Sequence, residues 1–374
     1  MPRILFIDPM ACHGGQERHI LYLMQGLEDF GFEVGIAIGR DSPWHETVRE
    51  RWGPSMMVVD YGSKFSSQTL AQLCAIAREG YDLVHSHGGR GGIYGRRVAH
   101  RMRMPVVQTW HLNPDEWAGE RWFKRRLYYA GEKMLARHTT HYIAVSNQIR
   151  DRLQTRYGVN GDRVTTILNR VPRVSSHDGD VKPMPNGRPI QLLAVGRLTE
   201  QKGFSYLLGA LHRLREKGVP FQMKIAGEGE LRPSLEGLAK RFDLSQHIEF
   251  LGYVDPIDPW YRQADIFVLS SLWEGTPLVL LEAVDQHLRI VATDVGGTRE
   301  ILASYPLAML VPARSAEALA DAILAVRCLE PDKEPNLDSL FDVEAMVKQH
   351  VAVYQRVLSL PSRTPHTERV DVQW

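Results

Sequence analysis

Residues 4–38 read ILFIDPMACHGGQERHILYLMQGLEDFGFEVGIAI. An apolar run at 4–7 leads through a glycine-containing loop into a stretch with helical spacing at 17–30, and a second apolar run follows at 34–38. Short apolar runs bounded by turn residues are typical of buried strands, so this order predicts a strand, a helix and a second strand. A helical crossover of this kind joins parallel strands, and the stretch therefore predicts a parallel sheet.

The same alternation continues along nearly the whole chain. Further apolar runs predicted as strands lie at 83–86, 106–109, 142–145, 191–195, 221–226, 248–251, 266–269, 290–292 and 308–311. Predicted helices between and beyond them include 68–78, 119–137 and 315–329. The pattern predicts an α/β protein with two doubly wound, Rossmann-like parallel sheets.

The chain of 374 residues is long enough for two domains. A proline-rich segment at 171–187 separates the two sets of strands and is predicted to be the interdomain linker. The predicted domains are therefore 1–170 and 188–341, and a further helix is predicted at 342–358.

Composition and charge exclude several classes of protein. The chain is 44% hydrophobic and 24% charged, as in ordinary globular proteins, and its three cysteines predict neither a disulfide framework nor a zinc site. A net charge of +1 makes nucleic acid a poor candidate partner, although 11 basic and 4 acidic residues at 90–137 form a local basic surface. No apolar run approaches the length of a membrane span, so we expect a cytoplasmic protein, free or bound at a membrane surface.

Ligands of open parallel sheets bind beyond the carboxyl ends of the strands. Gly14-Gly15 lies there before a helix, whose first N–H groups could bind an anion, although a tight turn explains the glycines equally well. Arg197 and Lys202 flank another such turn, where two cations suit a diphosphate and a solvated loop is the alternative. Gly227 closes the next strand and permits close approach of a ligand.

Residues 270–283 are the richest in candidate chemistry. Glu274 lies in a loop after a predicted strand, and Glu282 lies about one turn inside a helix that begins near Pro277. Backbone N–H groups near Leu278 and Val279 could face a phosphate. Since Glu282 is embedded in an apolar run, its burial would be costly unless it bonded ligand hydroxyls.

Two further motifs point to other enzymes. Gly89, Gly91 and Gly95 resemble a dinucleotide fingerprint, but the acid expected about 20 residues later is missing, which argues against a nicotinamide enzyme. Asp178-Gly179-Asp180 matches the metal-binding motif of GT-A transferases but lies in the predicted linker.

Taken together, the motifs resemble the retaining GT-B glycosyltransferases of family 4, from residue 1 to about 358. The residues that carry the resemblance are Gly14-Gly15, residues 196–203, 226–229 and 250–253, and the pair Glu274 and Glu282. The resemblance implies two domains facing across a cleft, with the helix at 342–358 returning to the first domain. It also implies sugar transfer from a UDP- or GDP-linked donor to a glycan or lipid-linked acceptor of bacterial-type surface polysaccharide or glycolipid synthesis, without a metal.

The resemblance also implies roles for individual residues. Glu274 and His111 are the implied catalytic residues beside the donor sugar. Arg197 and Lys202 would clamp the diphosphate, and Glu282 would hold the ribose. The full set of implied donor-binding residues is Gly15, Arg197, Lys202, Gly227, Tyr253, Val254, Thr276, Leu278, Val279 and Glu282.

The chain departs from the family after Glu282, where a glycine and a proline are usual and this sequence has Asp285-Gln286-His287-Leu288-Arg289.

Two other functions stay open on the same scaffold. One is a nucleotide-sugar 2-epimerase, which would need no acceptor, and the other is a non-catalytic glycosyltransferase-like binding protein.

A basic segment begins with Arg121, Lys124, Arg125 and Arg126 and continues with helical spacing to Arg137. An apolar stripe on it comprises Phe123, Leu127, Ala130 and Met134. Either the stripe belongs to the core and the basic face is solvated, or the segment contacts an anionic membrane or a lipid-pyrophosphate acceptor.

Overall fold

The computed structural model describes residues 1–62, 65–112, 122–173, 184, 187–330 and 337–360. Within these residues the first domain has seven strands, β1 (Arg3–Ile7), β2 (Glu33–Gly39), β3 (Met56–Val59), β4 (Leu83–His87), β5 (Val106–Trp110), β6 (His141–Ala144) and β7 (Val164–Thr166). Its helices are α1 (Gly15–Asp29), α2 (His45–Trp52), α3 (Ser67–Ala77), α4 (Gly89–Met102), α5 (Trp122–Ala136) and α6 (Asn147–Thr155).

The second domain has six strands in the described residues, β8 (Ile190–Val195), β9 (Phe221–Ala226), β10 (Ile248–Gly252), β11 (Ile266–Leu269), β12 (Arg289–Thr293) and β13 (Ala308–Val311). Its helices are α7 (Phe204–Glu216), α8 (Arg232–Arg241), α9 (Asp258–Gln263), α10 (Leu278–Asp285), α11 (Thr298–Leu302), α12 (Ala316–Ala325) and α13 (Asp338–Phe341). The last helix among the described residues is α14 (Val343–Ser359).

Both sheets are parallel and doubly wound, as the sequence predicts. The strand order is β3-β2-β1-β4-β5-β6-β7 in the first sheet and β10-β9-β8-β11-β12-β13 in the second. The order reverses between β1 and β4 and again between β8 and β11. Each reversal leaves a crevice at the carboxyl ends of the strands, where ligands of such sheets bind.

The two strands that the sequence pattern missed, β3 and β7, lie at the two edges of the first sheet. β3 has four residues, of which three are only partly buried, and β7 has three residues. Runs this short and this exposed carry little hydrophobic signal, which explains the omission. Most of the predicted linker, including Asp178-Gly179-Asp180, lies outside the described residues.

Helix α14 packs against α1 of the first domain. Its residues Met346, Val347 and Tyr354 join Ile20 and other α1 side chains in one buried core. The two helices approach closely at Gly26, where an added Cβ would lie 2.5 Å from a methyl group of Val347. The end of the chain therefore completes the core of the domain formed by its beginning.

Candidate functional site

The two sheets face each other across a cleft, and the loops at their carboxyl ends touch. A Cβ on Gly275, in the loop after β11, would lie 1.9 Å from the carbonyl oxygen of His111, so this contact requires glycine. The next residue, Thr276, is buried and donates a hydrogen bond to the carbonyl of Val145. These contacts fix the loop of Glu274 against the first domain.

The side chain of Glu274 is buried and paired with Lys202. The Nζ atom of Lys202 lies 2.5 Å from Oε1 of Glu274, and the hydroxyl of Ser271 donates to the same oxygen at 2.7 Å. The family resemblance implied that Lys202 binds the diphosphate and that Glu274 contacts the sugar. The structure brings the two together as one ion pair, because a buried charge is costly unless an opposite charge compensates it.

Glu282 lies on α10 and binds groups from both domains. The guanidinium of Arg18, on α1, donates to its Oε1, and the hydroxyl of Tyr261 donates to its Oε2 at 2.9 Å. Burial and the charge of Glu282 raise the pKa of Tyr261 well above its usual value, so this hydroxyl remains a donor. The carboxylate is thus oriented by two donors, and further lone pairs remain to accept hydroxyl groups.

The amino ends of α1 and α10 meet across the cleft. Gly15 begins α1, and a Cβ added there would lie 3.2 Å from Cγ of Leu278, the first residue of α10. The first N–H groups of a helix have no partner within the helix and carry a partial positive charge. Two such ends in contact, with Val279 as the second residue of α10, form a place suited to an anion.

Arg197 follows β8 on the exposed side of the cleft, and its Nη1 lies 3.9 Å from the sulfur of Cys12 in the first domain. Burial and the nearby Glu17 raise the pKa of Cys12 to about 12, so the thiol stays neutral. Gly227 directly follows β9, and its N–H donates to the carbonyl of Gly252 at 2.7 Å.

The loop after β10 reaches the first domain through an aromatic contact. The ring of Tyr253 is 56% exposed and stacks on the ring of His13 with centroids 4.9 Å apart. Val254 follows it, partly buried. An exposed aromatic face at the rim of the cleft is suited to a planar ring of a ligand.

His111 lies behind Gly275 and belongs to a group of buried histidines. Its Nε2 lies 3.0 Å from Nδ1 of His87, on β4. Burial, with a contribution from His350, lowers the pKa of His111 to about 3. The imidazole is therefore neutral near pH 7 and can exchange a hydrogen bond with a sugar hydroxyl without bringing a charge.

The turn that lacks the family's glycine nevertheless forms. His287 closes α10 with φ at 53°, and the N–H of Leu288 donates to the carbonyl of Ala283 at 3.2 Å. A left-handed residue at this point is the usual way to end a helix, and glycine is the residue that normally supplies it. The chain therefore makes the expected turn with an unfavourable residue.

One side of the basic segment is exposed where the structure describes it. Leu127 and Met134, on α5, are 75% and 44% exposed, which contradicts a core role for these two members of the apolar stripe. Glu132 faces inward and is held by two hydrogen bonds from buried Arg96 at 2.7 and 2.9 Å. The side chains of Phe123, Arg121, Lys124 and Arg125 lie outside the described residues. Among the described helices, none is long and apolar enough to cross a membrane.

Several residues of the site were missed by sequence reasoning. Arg18 lies three residues beyond Gly15, on the first turn of α1, and that position was a usable signal. His87 is the last residue of β4, and its position at the carboxyl end of a strand was also a usable signal. Tyr261 and His13 belong to no recognisable motif, and only the fold brings them to the cleft.

Comparison with known proteins agrees with this geometry. The family model described as Glycosyltransferase Family 4 matches residues 13–172, and the one described as Glycosyl transferases group 1 matches residues 189–327. An uncharacterized glycosyltransferase of Methanocaldococcus jannaschii is 27% identical over 316 residues, covering 79% of this chain and 80% of the relative. The UDP-Gal:alpha-D-GlcNAc-diphosphoundecaprenol alpha-1,3-galactosyltransferase of Escherichia coli is 25% identical over 346 residues, 87% of each chain.

Among solved structures, HepE of Anabaena, in complex with UDP and glucose, matches with a TM-score of 0.78 at 19% identity. The match covers 95% of this chain and 100% of that one, and shows a shared fold. Two facing Rossmann-like domains, together with the family models that match them, define a glycosyltransferase of the GT-B type. The chain belongs to the family 4 glycosyltransferases, with the family 4 domain first and the group 1 domain second.

Proposed function

We propose that this chain is a retaining glycosyltransferase that moves a sugar from a nucleotide-sugar donor to a glycan or lipid-linked acceptor. The observation that carries the proposal is the position of the Glu274–Lys202 pair in the loops beside the facing amino ends of α1 and α10. A cation and two helix ends suit a diphosphate, and a carboxylate beside them suits the hydroxyls of the attached sugar.

In the proposed reaction the bond from the anomeric carbon to the diphosphate oxygen breaks, and the acceptor hydroxyl oxygen forms its bond on the same face of the sugar. The hydroxyl proton passes to the departing diphosphate. Negative charge grows on the departing diphosphate. Arg197, Lys202 and the N–H groups of Leu278 and Val279 stabilise that charge from fixed positions, so the scheme requires no metal.

The remaining residues orient the donor in this scheme. Glu282 accepts hydrogen bonds from the ribose hydroxyls once its ion pair with Arg18 has opened. Tyr253 and Val254 contact the base. His111 supplies a neutral imidazole to the sugar from the opposite domain. Gly15 and Thr276 let the two domains approach closely enough for both sets of groups to reach one donor.

The proposed acceptor class and location rest on α5 and on a relative. The name of the Escherichia coli relative gives a diphosphoundecaprenol-linked acceptor. Since Glu132 faces inward, the outer face of α5 combines exposed Leu127 and Met134 with exposed Arg126 and Lys133, and exposed Arg137 follows directly after the helix. Apolar side chains among basic ones suit an anionic leaflet, so we place the enzyme at the cytoplasmic face of a membrane, in surface polysaccharide or glycolipid synthesis.

A donor screen tests the function directly. A nucleotide sugar at 100 times its dissociation constant should stabilise the protein by about 2.7 kcal/mol, which thermal unfolding detects. With the donor and a lipid-linked or oligosaccharide acceptor, NMR should show the anomeric configuration of the donor in the product, with full activity in a chelator. An inverted product or strict metal dependence would refute the mechanism. A released free epimer would favour the epimerase, and binding without turnover on any acceptor would favour a binding protein.

A further inference from the structure

A cluster of five histidines lies buried in the first domain, behind the cleft. The cluster consists of His19 on α1, His85 and His87 on β4, His111 after β5, and His350 on α14. Four of them are fully buried and His111 is 7% exposed. Sequence reasoning did not find it, because its members are spread from residue 19 to residue 350.

Three of these side chains can share one ligand. His19, His87 and His111 each offer a nitrogen, and the three atoms lie within 4.8 Å of one another. The pair His87 Nδ1 and His111 Nε2 is 3.0 Å apart. Two nitrogens bound to one tetrahedral zinc ion at about 2.0–2.1 Å lie roughly 3.3 Å apart, so a small movement of these rings would admit the ion.

Buried nitrogens of this group lack partners among the described residues. Neither Nδ1 nor Nε2 of His19 has a hydrogen bond, and Nε2 of His87 has none. A buried polar atom without a partner is costly, and such atoms in folded proteins usually mark a missing partner. Phe6 covers one side of the His87 ring at 5.8 Å, while His111 borders the cleft, which gives an ion its route.

The chemistry of the three groups favours a particular class of ion. Burial lowers the pKa of His19 and His87 well below the usual value, so near pH 7 the rings are neutral and each keeps a lone pair. Imidazole ligands suit zinc, cobalt, nickel and copper, whereas magnesium and calcium prefer oxygen. Three protein ligands also leave a fourth position open to water.

We propose that His19, His87 and His111 form a binding site for a divalent transition metal of the zinc class. Binding of the ion through His111 draws this imidazole away from the donor sugar. We therefore expect the bound ion to inhibit sugar transfer. This inhibition rests on the proposed function, whereas binding of the ion does not depend on it. The site is also compatible with catalysis that needs no metal.

Cobalt(II) is the probe, because its visible absorption reports nitrogen coordination. The background variant carries His100→Gln and His138→Gln, since these two rings pair outside the cluster, with centroids 4.0 Å apart, and could bind metal themselves. This variant should bind one equivalent of cobalt, and zinc should displace it. Adding His19→Gln should weaken binding by more than about 100-fold. Adding His45→Gln, which removes a histidine elsewhere in the same domain, should leave the affinity unchanged.

The result for the background variant decides the proposal even if His19→Gln fails to fold. No binding of cobalt or zinc to the background variant would overturn the site, and so would equal affinity in folded His19→Gln. Binding that leaves transfer unaffected at saturation would overturn the inhibitory role. Failure of the glycosyltransferase proposal would appear separately, as absence of donor binding in metal-free protein.

Discussion

Arg18, on the first helix of the first domain, forms an ion pair with Glu282, on the helix that follows β11 in the second domain. The side chain of Glu282 is only 14% exposed, and Tyr261 holds its other oxygen. The carboxylate proposed to bind the ribose is therefore also a link between the domains. If Glu282 binds the ribose as proposed, donor binding and the separation of the domains are coupled through this one group.

Replacing Arg18 should loosen the cleft more than it weakens nucleotide binding. Arg18→Ala removes the cross-domain pair, while Tyr261 still orients Glu282. We expect a larger radius of gyration by small-angle X-ray scattering and nucleoside diphosphate affinity within a few-fold of the parent. Arg51→Ala, which removes an exposed pair with Glu28 inside one domain, is the matched control. An affinity loss above about tenfold, or 1.4 kcal/mol, would mean that Arg18 itself binds the diphosphate.

Glu274 should act on the sugar and not on the nucleotide. Glu274→Gln keeps the size of the side chain but removes the charge, so transfer should fall by orders of magnitude while nucleoside diphosphate affinity stays within a few-fold. Ser271→Ala removes one hydrogen bond to Glu274 and should reduce transfer far less. Steady-state kinetics with calorimetric titration of the nucleotide measure both quantities. Unchanged transfer in Glu274→Gln would contradict the assignment.

Charge reversal on α5 and at Arg137, directly after it, should abolish binding to anionic vesicles. Arg126, Lys133 and Arg137 are exposed, and each basic residue near an anionic leaflet contributes about 1 kcal/mol. The triple change to Glu should therefore abolish co-sedimentation with phosphatidylglycerol vesicles at low salt. Activity on a short water-soluble acceptor should persist.

The control for that experiment changes the charge equally in the second domain. Arg213, Lys240 and Arg241 are exposed there, and their replacement by Glu should leave vesicle binding intact. Equal loss in both triple variants would show a general charge effect. If the wild-type protein does not bind anionic vesicles, the proposed location at a membrane is wrong.

Acid should destabilise the fold through His141, on β6. Burial, with Arg356 and Arg163 nearby, lowers the pKa of His141 to about 4. Since the unfolded ring takes up its proton near pH 6.5, the stability from this group is complete above pH 6.5 and is lost as pH falls toward 4. The loss amounts to roughly 3 kcal/mol at most.

Urea unfolding at several pH values measures this effect. His141→Gln should reduce the slope of the unfolding free energy between pH 6.5 and 4 by up to about 1.4 kcal/mol per pH unit. His100→Gln, at an exposed position, is the control and should change the slope little. An identical slope in His141→Gln and the parent would exclude this histidine as the titrating group.

The left-handed residue that ends α10 should prefer glycine. His287 has φ at 53°, a conformation that costs a residue with a Cβ about 1 kcal/mol. His287→Gly should therefore be more stable than His287→Ala by about that amount in denaturant unfolding. Comparing these two variants with each other cancels the loss of the imidazole. Equal stability would show that the turn changes its conformation in the variants.

The sequence predicts the two sheets well because the strands of the doubly wound core are apolar runs separated by helical spacing. It fails at β3 and β7, where short, half-exposed edge strands carry little pattern. The acids and cations of the cleft could also be located, since residues just beyond the strands converge at the carboxyl edge of each sheet.

Pairing between those residues could not be predicted. Glu274 and Lys202 are 72 residues apart, and Arg18 and Glu282 are 264 apart, so no local spacing relates them. The histidine cluster could not be predicted either, because its members are also far apart in the sequence. Only the reversal of strand order and the return of α14 bring these residues into contact.

The return of α14 also has a consequence for synthesis on the ribosome. Residues 1–170 emerge before residues 343–359, so the part of α1 that packs against α14 stays uncovered until those later residues have been added. At about 5–20 residues per second, that interval lasts on the order of 10 to 40 seconds. The buried clusters of the second domain consist of residues 171–341 and can form during this time. The domain translated second can therefore be completed first, while part of the core of the first domain stays exposed until α14 has been added.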